Sequence, residues 1–190
     1  MAITKNQLEK IEFYVCAKLD SLNWQHTQEM RPIAKKLAGL EKADKEIVDV
    51  AILFHDLGKH TGESKDHEKR SGEMARKYLE KENFDQRFIE EVVYCVLVHM
   101  AGLYNQGHLI TTPEAKVLHD ADQIQQLSEF GLVKNLINYG ADIYGNYQQG
   151  LVKTRDIMFK GYNLILTENG RKMAEPGYKL VKEFFKKLDV

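Results

Sequence analysis

The feature that most constrains this chain is a run of apolar residues that ends in a histidine and an aspartate. Residues 47–54 would be apolar on almost every side of a helix, and His55 and Asp56 follow directly. A helix that is apolar on most sides lies in the interior of a helical protein. Burying a polar pair at its end is unfavourable unless a partner or a metal ion satisfies the pair. We therefore expect a functional site at the end of this helix.

The rest of the chain also shows helical periodicity. Apolar residues recur at spacings of three and four, and the 190 residues contain only 3 prolines, so few positions interrupt a helix. Helices are predicted over residues 7–22, 24–40, 47–54, 66–81, 88–100, 112 to about 139, 152–166 and 177–188. Pro32 predicts a kink or restart in the second helix. The sequence thus predicts an all-α fold, a single-domain helical bundle over 1–190.

Composition limits the partners and the compartment. The net charge of −1 argues against a nucleic-acid polymer or an anionic membrane as partner. The N-terminus lacks the apolar core of a signal peptide, and the apolar runs are too short to span a bilayer, so we expect a cytoplasmic protein. Cys16 and Cys95 lie in helical patterns, which predicts two buried, reduced thiols without a disulfide.

Two polar residues elsewhere complete a candidate metal site. His26 lies in an earlier amphipathic segment and Asp122 in a later one. With His55 and Asp56 they offer two imidazoles and two carboxylates, a donor set that suits a divalent transition metal with open positions. An ion held in this way lowers the pKa of bound water and polarises a phosphoryl oxygen. The donor set therefore indicates a hydrolytic enzyme.

These residues, in this order and in a helical pattern, resemble the HD superfamily of metal-dependent phosphohydrolases. The resemblance rests on the segment 54–59 (Phe-His-Asp-Leu-Gly-Lys) and on Ala121-Asp122, in a helix that begins with Thr-Pro-Glu-Ala at 112–115. It implies an HD-type domain with a metal-site core at about 22–140 and C-terminal helices at 147–190. It also implies His26, His55, Asp56 and Asp122 as metal ligands.

Other histidines need separate interpretation. The resemblance maps His67 and His99 onto ligands of a second metal ion in binuclear members, with Asp56 as the bridge. Alternatively the site holds one ion, and both histidines bind phosphate or support the ligands. The second His-Asp dipeptide, at 119–120, is interpreted as a decoy because no glycine-lysine follows it. His60 and His108 are expected on the surface.

The segment that follows the His-Asp pair contains three candidates for phosphate binding or catalysis, namely Lys59, Glu63 and Asp66. Lys59 follows a glycine and could hold a phosphate oxygen beside the ion, or it is a solvated loop lysine. Glu63 and Asp66 could orient the attacking water or protonate the leaving oxygen. Carboxylates are common in loops, so these two rest on position alone.

The sequence thus predicts a divalent-metal-dependent phosphohydrolase that acts on a nucleotide or another small phosphoester. The ion could be Mn, Fe, Co, Ni, Zn or Mg, since a nitrogen and oxygen site admits all of them. The alternatives are a di-iron oxygenase of the HD fold and a non-catalytic metal or nucleotide sensor. The aromatic pairs 13–14 and 184–185 could join subunits in a homodimer, although core packing explains them equally well.

Overall fold

The computed structural model describes residues 3–61, 65–140 and 146–190. Over these residues the chain forms nine α-helices and no β-strand, which confirms the predicted all-α fold. The helices are α1 (Lys5–Cys16), α2 (Ser21–Glu41), α3 (Lys45–Phe54), α4 (His67–Lys81), α5 (Gln86–Val98), α6 (Pro113–Gln126), α7 (Glu129–Gly140), α8 (Tyr147–Leu164) and α9 (Glu168–Lys187). Short 3-10 helices cover Leu57–Thr61, Ala101–Tyr104 and Gly107–Leu109.

The chain divides into two compact units, Met1–His119 and Asp120–Val190. The boundary between them falls inside α6. That the whole chain forms one domain stays a prediction. No helix in the described ranges has the length and apolar character needed to cross a bilayer.

Helix α3 is the central element of the first unit. It begins at Asp44, whose side chain accepts hydrogen bonds from the backbone N–H groups of Glu46 and Ile47, as a helix N-cap does. It packs against α1, α2, α4 and α5, and every residue from Val50 to Phe54 is fully buried. The predicted burial of this helix is confirmed. Its C-terminal end therefore delivers His55 and Asp56 into the interior of the unit.

Several helix boundaries differ from the sequence prediction. Helix α2 runs through Pro32 without a restart, and α9 includes Pro176 and begins nine residues earlier than predicted. The start of α9 is fixed by Thr167, whose hydroxyl accepts a hydrogen bond from the backbone N–H of Gly170. The long predicted helix after residue 112 is two helices, α6 and α7. Gly131, in the first turn of α7, lies so close to the end of α6 that a Cβ would collide with backbone oxygens there.

The second unit contains α7, α8 and α9, with α8 packed against both of the others. The rings of Tyr162 and Tyr178 stack with their centroids 3.8 Å apart, and Phe185 is fully buried. Residues 141–145 lie outside the described residues, and α8 begins at Tyr147, five residues before the predicted start at 152.

The two cysteines differ in exposure. Cys95 is buried on α5, as predicted. Cys16 is exposed, so the prediction of two buried thiols was wrong for this residue. Cys16 is the last residue of α1, just after the buried Val15, where the helix turns its next position to solvent.

Candidate metal centre

The candidate site is built around the carboxylate of Asp56, which is 2% exposed. Its two oxygens face two different pairs of histidines. Oδ2 lies 3.4 Å from Nε2 of His55 and 3.8 Å from Nε2 of His26. Oδ1 lies 3.1 Å from Nε2 of His67 and 3.9 Å from Nε2 of His99. One carboxylate thus joins two groups of donor atoms, all within the first unit.

Within each group the donor atoms are close enough to share an ion. The Nε2 atoms of His26 and His55 lie 3.3 Å apart, and so do those of His67 and His99. In each group the three donor atoms, including one from Asp56, lie within 4.8 Å of one another. Imidazole nitrogen and carboxylate oxygen suit a divalent transition metal. The donor set therefore fits two such ions that share Asp56.

Two of the histidines are oriented by the ends of the helices that precede them. Nδ1 of His55 lies 2.7 Å from the backbone oxygen of Ile52, and Nδ1 of His99 lies 2.6 Å from that of Val96. A carbonyl oxygen only accepts, so both Nδ1 atoms carry a proton, and Nε2 presents a lone pair when the ring is in its neutral form. Carbonyls in the last turns of α3 and α5 supply these contacts.

The charge states match what metal ligands require. The pKa of His99 is lowered to about 3, mainly by burial and then by the neighbouring His55. Asp56 raises this pKa, but by less than His55 lowers it. Burial by itself would raise the pKa of Asp56, but His55 and Lys59 outweigh burial and hold the pKa well below its usual range. At neutral pH the His99 ring is therefore neutral and Asp56 is ionised, the forms that bind a metal.

A glycine lets the two halves of the site approach each other. Gly58 lies so close to the start of α4 that a Cβ would collide with the backbone oxygen of His67. Its backbone N–H donates to the hydroxyl of Ser71 at 2.8 Å. This close contact brings His67, the first residue of α4, to Asp56. The next residue, Lys59, places its ammonium nitrogen 2.6 Å from Oδ2 of Asp56 and keeps 27% of its side chain exposed.

The second His-Asp dipeptide has structural partners on both sides. Nδ1 of the buried His119 lies 2.8 Å from the backbone oxygen of His99. His119 therefore supports the site, a role that no sequence pattern indicated. The carboxylate of Asp120 accepts hydrogen bonds from the backbone N–H groups of Leu166 and Thr167 and from the Thr167 hydroxyl. Asp120 thus ties α6 to the start of α9.

Two other predicted site residues, Asp122 and Asp66, are held by neighbours on their own helices. Asp122 is buried on α6 in the second unit, where its carboxylate accepts hydrogen bonds from Gln123 and Gln126, both at 3.3 Å. Its role as a ligand stays a prediction. Asp66 precedes α4 without capping it, and its carboxylate, 44% exposed, accepts a hydrogen bond from Lys69.

One candidate and two expected surface histidines remain. Glu63 lies outside the described residues, so its predicted role stays open. His60 and His108 are exposed, as predicted.

Comparison with known proteins decides the family. The family described as HD domain matches residues 23–127, more than half of the chain. The chain belongs to the HD domain family. The membership predicted from the His-Asp segment is thus confirmed.

Relatives of this HD-domain chain are found among curated sequences and solved structures. The chain is 22% identical over 173 residues to the protein YpgQ of Bacillus subtilis (strain 168), covering 88% of this chain and 82% of YpgQ. The structure of B. subtilis YpgQ in complex with ADP is 19% identical, with a TM-score of 0.74 over 96% of both chains. An HD-superfamily hydrolase from Bacillus thuringiensis is 18% identical, with a TM-score of 0.72 over 97% of this chain and 95% of that one. These structures share the HD fold with this chain.

Proposed function

We propose that this HD-domain protein is a divalent-metal-dependent phosphohydrolase that acts on a nucleotide or another small phosphoester. The observation that carries the proposal is the position of Asp56, whose two buried carboxylate oxygens each face a pair of histidine nitrogens. A second support is that YpgQ, which has the same fold, was solved in complex with ADP.

The residues divide into two sets of ligands. His26, His55 and Asp56 would hold the first ion, with Asp122 as the predicted fourth ligand. A second ion would lie between His67 and His99 and share Asp56. When bound, divalent ions lower the pKa of a water molecule and polarise a phosphoryl oxygen.

Lys59 is the residue that would bind the substrate phosphate. Its ammonium lies beside the oxygen of Asp56 that faces the first histidine pair, and part of the side chain reaches solvent. Lys59 would thus offer the substrate phosphate a cation that is partly exposed to solvent. The fixed positive charge then stabilises negative charge that develops on the phosphoryl oxygens. Glu63 and Asp66 remain the predicted groups that move protons.

The test is a hydrolysis screen over nucleoside mono-, di- and triphosphates with manganese, magnesium, cobalt and nickel in turn. Phosphate and pyrophosphate are measured separately to identify the bond that is cleaved. Asp56→Asn should abolish release, whereas His108→Gln, a change at an exposed histidine, should leave it unchanged. Release that persists in Asp56→Asn would overturn the assignment of the site.

The four histidines around one carboxylate also favour a second candidate, a di-iron oxygenase of the HD fold. This enzyme would retain iron on purification and consume oxygen with an organic substrate. The phosphohydrolase instead works without oxygen. A protein that binds ADP and metal ions but turns over nothing in either assay would be a sensor.

A further inference from the structure

A cleft of about 530 Å³ lies in the first unit, where α1, α2 and α3 meet. Leu8 of α1, which is half-buried, and the exposed Pro32 of α2 line it on the solvent side. Its inner surface consists of buried apolar residues of α2 and α3, namely Ala34, Val48, Val50 and Ile52. A cleft of this size with apolar walls is typical of sites that bind small molecules.

Charged side chains surround the apolar part of this cleft. Cations outnumber carboxylates by four to two among its lining residues, which include Lys5, Arg31, Lys35, Lys45, Glu46 and Asp49. A cleft lined mostly by one sign of charge concentrates ligands of the opposite sign. The charge of the lining therefore favours an anion over a cation or a neutral molecule.

The fold itself uses three of these charges. Arg31 donates from two of its nitrogens to the carboxylate of Asp49, at 2.7 and 2.9 Å. The carboxylate of Glu46 accepts a hydrogen bond from the backbone N–H of Ile3 at 3.1 Å. Neither carboxylate is therefore needed to balance a lysine of the cleft.

Lys35 of α2 and Lys45 of α3 are the cations that a ligand could use. Both are exposed, and neither forms an ion pair with any residue in the ranges 3–61, 65–140 and 146–190. Gly39 of α2 leaves room for the Lys45 side chain, whose ammonium nitrogen lies 3.7 Å from the position that a Cβ would take there. The two ends of the lining on α2 and α3 thus each carry an available positive charge.

We propose that this cleft is a binding site for a small amphipathic anion. An apolar chain or ring packs against α2 and α3, and a single carboxylate or phosphate head contacts Lys35 and Lys45. A ligand with several negative charges fits less well, because Glu46 and Asp49 line the same cleft. The inference does not depend on the proposed activity, since no lining residue is one of the four histidines or Asp56.

The alternative is that apolar ligands merely adsorb to the cleft while its lysines stay solvated. Adsorption depends on the apolar chain, so the charge of the head group would not matter. A built site for an anion discriminates between heads on the same chain. Decanoate, decylammonium and acetate separate the two cases, because they carry the chain with an anionic head, the chain with a cationic head, and the anionic head with hardly any chain.

The experiment is calorimetric titration of the full chain with each of the three probes below micellar concentration, with Tm recorded alongside. Decanoate should bind at one site per chain and raise Tm, as a ligand of the native state does. Decylammonium and acetate should each bind at least about tenfold more weakly. Equal binding of decanoate and decylammonium, or no saturable binding of decanoate, would overturn the inference.

Two pairs of variants test whether the ligand lies in this cleft. Lys35→Glu should weaken decanoate by about 3–10-fold, whereas Lys36→Glu, at an exposed lysine of α2 outside the lining, should change it by less than about twofold. Leu8→Glu should weaken it by at least about tenfold, with the exposed Leu40→Glu as control. Equal losses in Lys35→Glu and Lys36→Glu would place the ligand elsewhere. If Leu8→Glu does not fold, the lysine pair decides.

Discussion

The ammonium nitrogen of Lys59 lies 2.6 Å from Oδ2 of Asp56, on the same oxygen that faces the first histidine pair. A metal ion bound to this oxygen must compete with the lysine, since both are cations. A substrate phosphate relieves the competition, because it offers the ammonium group another anion. Metal binding and phosphate binding at Asp56 should therefore favour each other.

This competition predicts the behaviour of Lys59→Met, which removes the charge and keeps most of the length of the side chain. The first metal ion should bind at least as tightly as in the wild type. The kcat/KM for phosphoester hydrolysis should fall at least about tenfold, or about 1.4 kcal/mol. Calorimetry and steady-state kinetics measure the two effects. Lys65→Met, at an exposed position nearby, is the control, and a loss of metal affinity in Lys59→Met would contradict the prediction.

The burial of His99 predicts that the metal-free protein is less stable in mild acid than at neutral pH. The pKa of His99 is lowered from 6.5 to about 3 by burial and by neighbouring His55. The unfolded chain therefore binds the proton more readily, and stability falls as the pH drops from about 6.5 towards 3. Between pH 7.5 and 5 the loss from this group is about 2 kcal/mol. Urea unfolding with a chelator present measures it, and His99→Gln should show a correspondingly smaller loss.

Asp120→Asn should affect stability rather than metal binding. The Asp120 carboxylate is fully buried and accepts three hydrogen bonds from Leu166 and Thr167. An amide presents fewer acceptor sites and turns an NH₂ group towards one of these donors, so the free energy of unfolding should fall by about 2–3 kcal/mol. Urea unfolding measures the loss of stability, and metal titration of the folded variant tests whether metal binding is unchanged. Loss of one metal ion per chain would show that Asp120 is a ligand after all.

The two thiols should react at very different rates. Burial raises the pKa of Cys95 to about 12, which leaves about one thiol in ten thousand ionised at pH 8. Cys16 is exposed. A disulfide reagent should therefore modify one thiol in the folded protein and two after denaturation. Cys16→Ser should abolish the fast reaction, and rapid labelling of a second thiol in the native state would contradict the structure.

Local patterns were sufficient to predict much of the fold. The apolar run before His55 predicted a buried α3 because nearly every one of its side chains is apolar, which is a property of the segment alone. The boundaries of α6, α7 and α9 depend instead on contacts with other segments, such as the approach of Gly131 to the end of α6. Periodicity carries no information about such contacts, so those boundaries were missed.

The candidate site also combines residues that the sequence indicated with residues whose roles depend on contacts between distant segments. The residues that face Asp56 are histidines, which are candidate metal ligands in any sequence because of their imidazole nitrogens. The family resemblance indicated which histidines of this chain to consider. His119 gave no such signal, because it stands in a dipeptide that imitates the ligand pair. Its role follows from its burial and from its contact with the backbone of His99, which only the folded chain shows.

The full burial of residues Val50–Phe54, at the C-terminal end of α3, has a consequence for the choice of ion. Backbone amides in such a helix exchange hydrogen with the solvent only when the surrounding unit opens, so the two ligands at its end have little freedom to move. Ligands held this firmly cannot contract around a small ion or spread around a large one. Discrimination between metals should therefore follow ionic radius, with calcium excluded by size even where it is abundant.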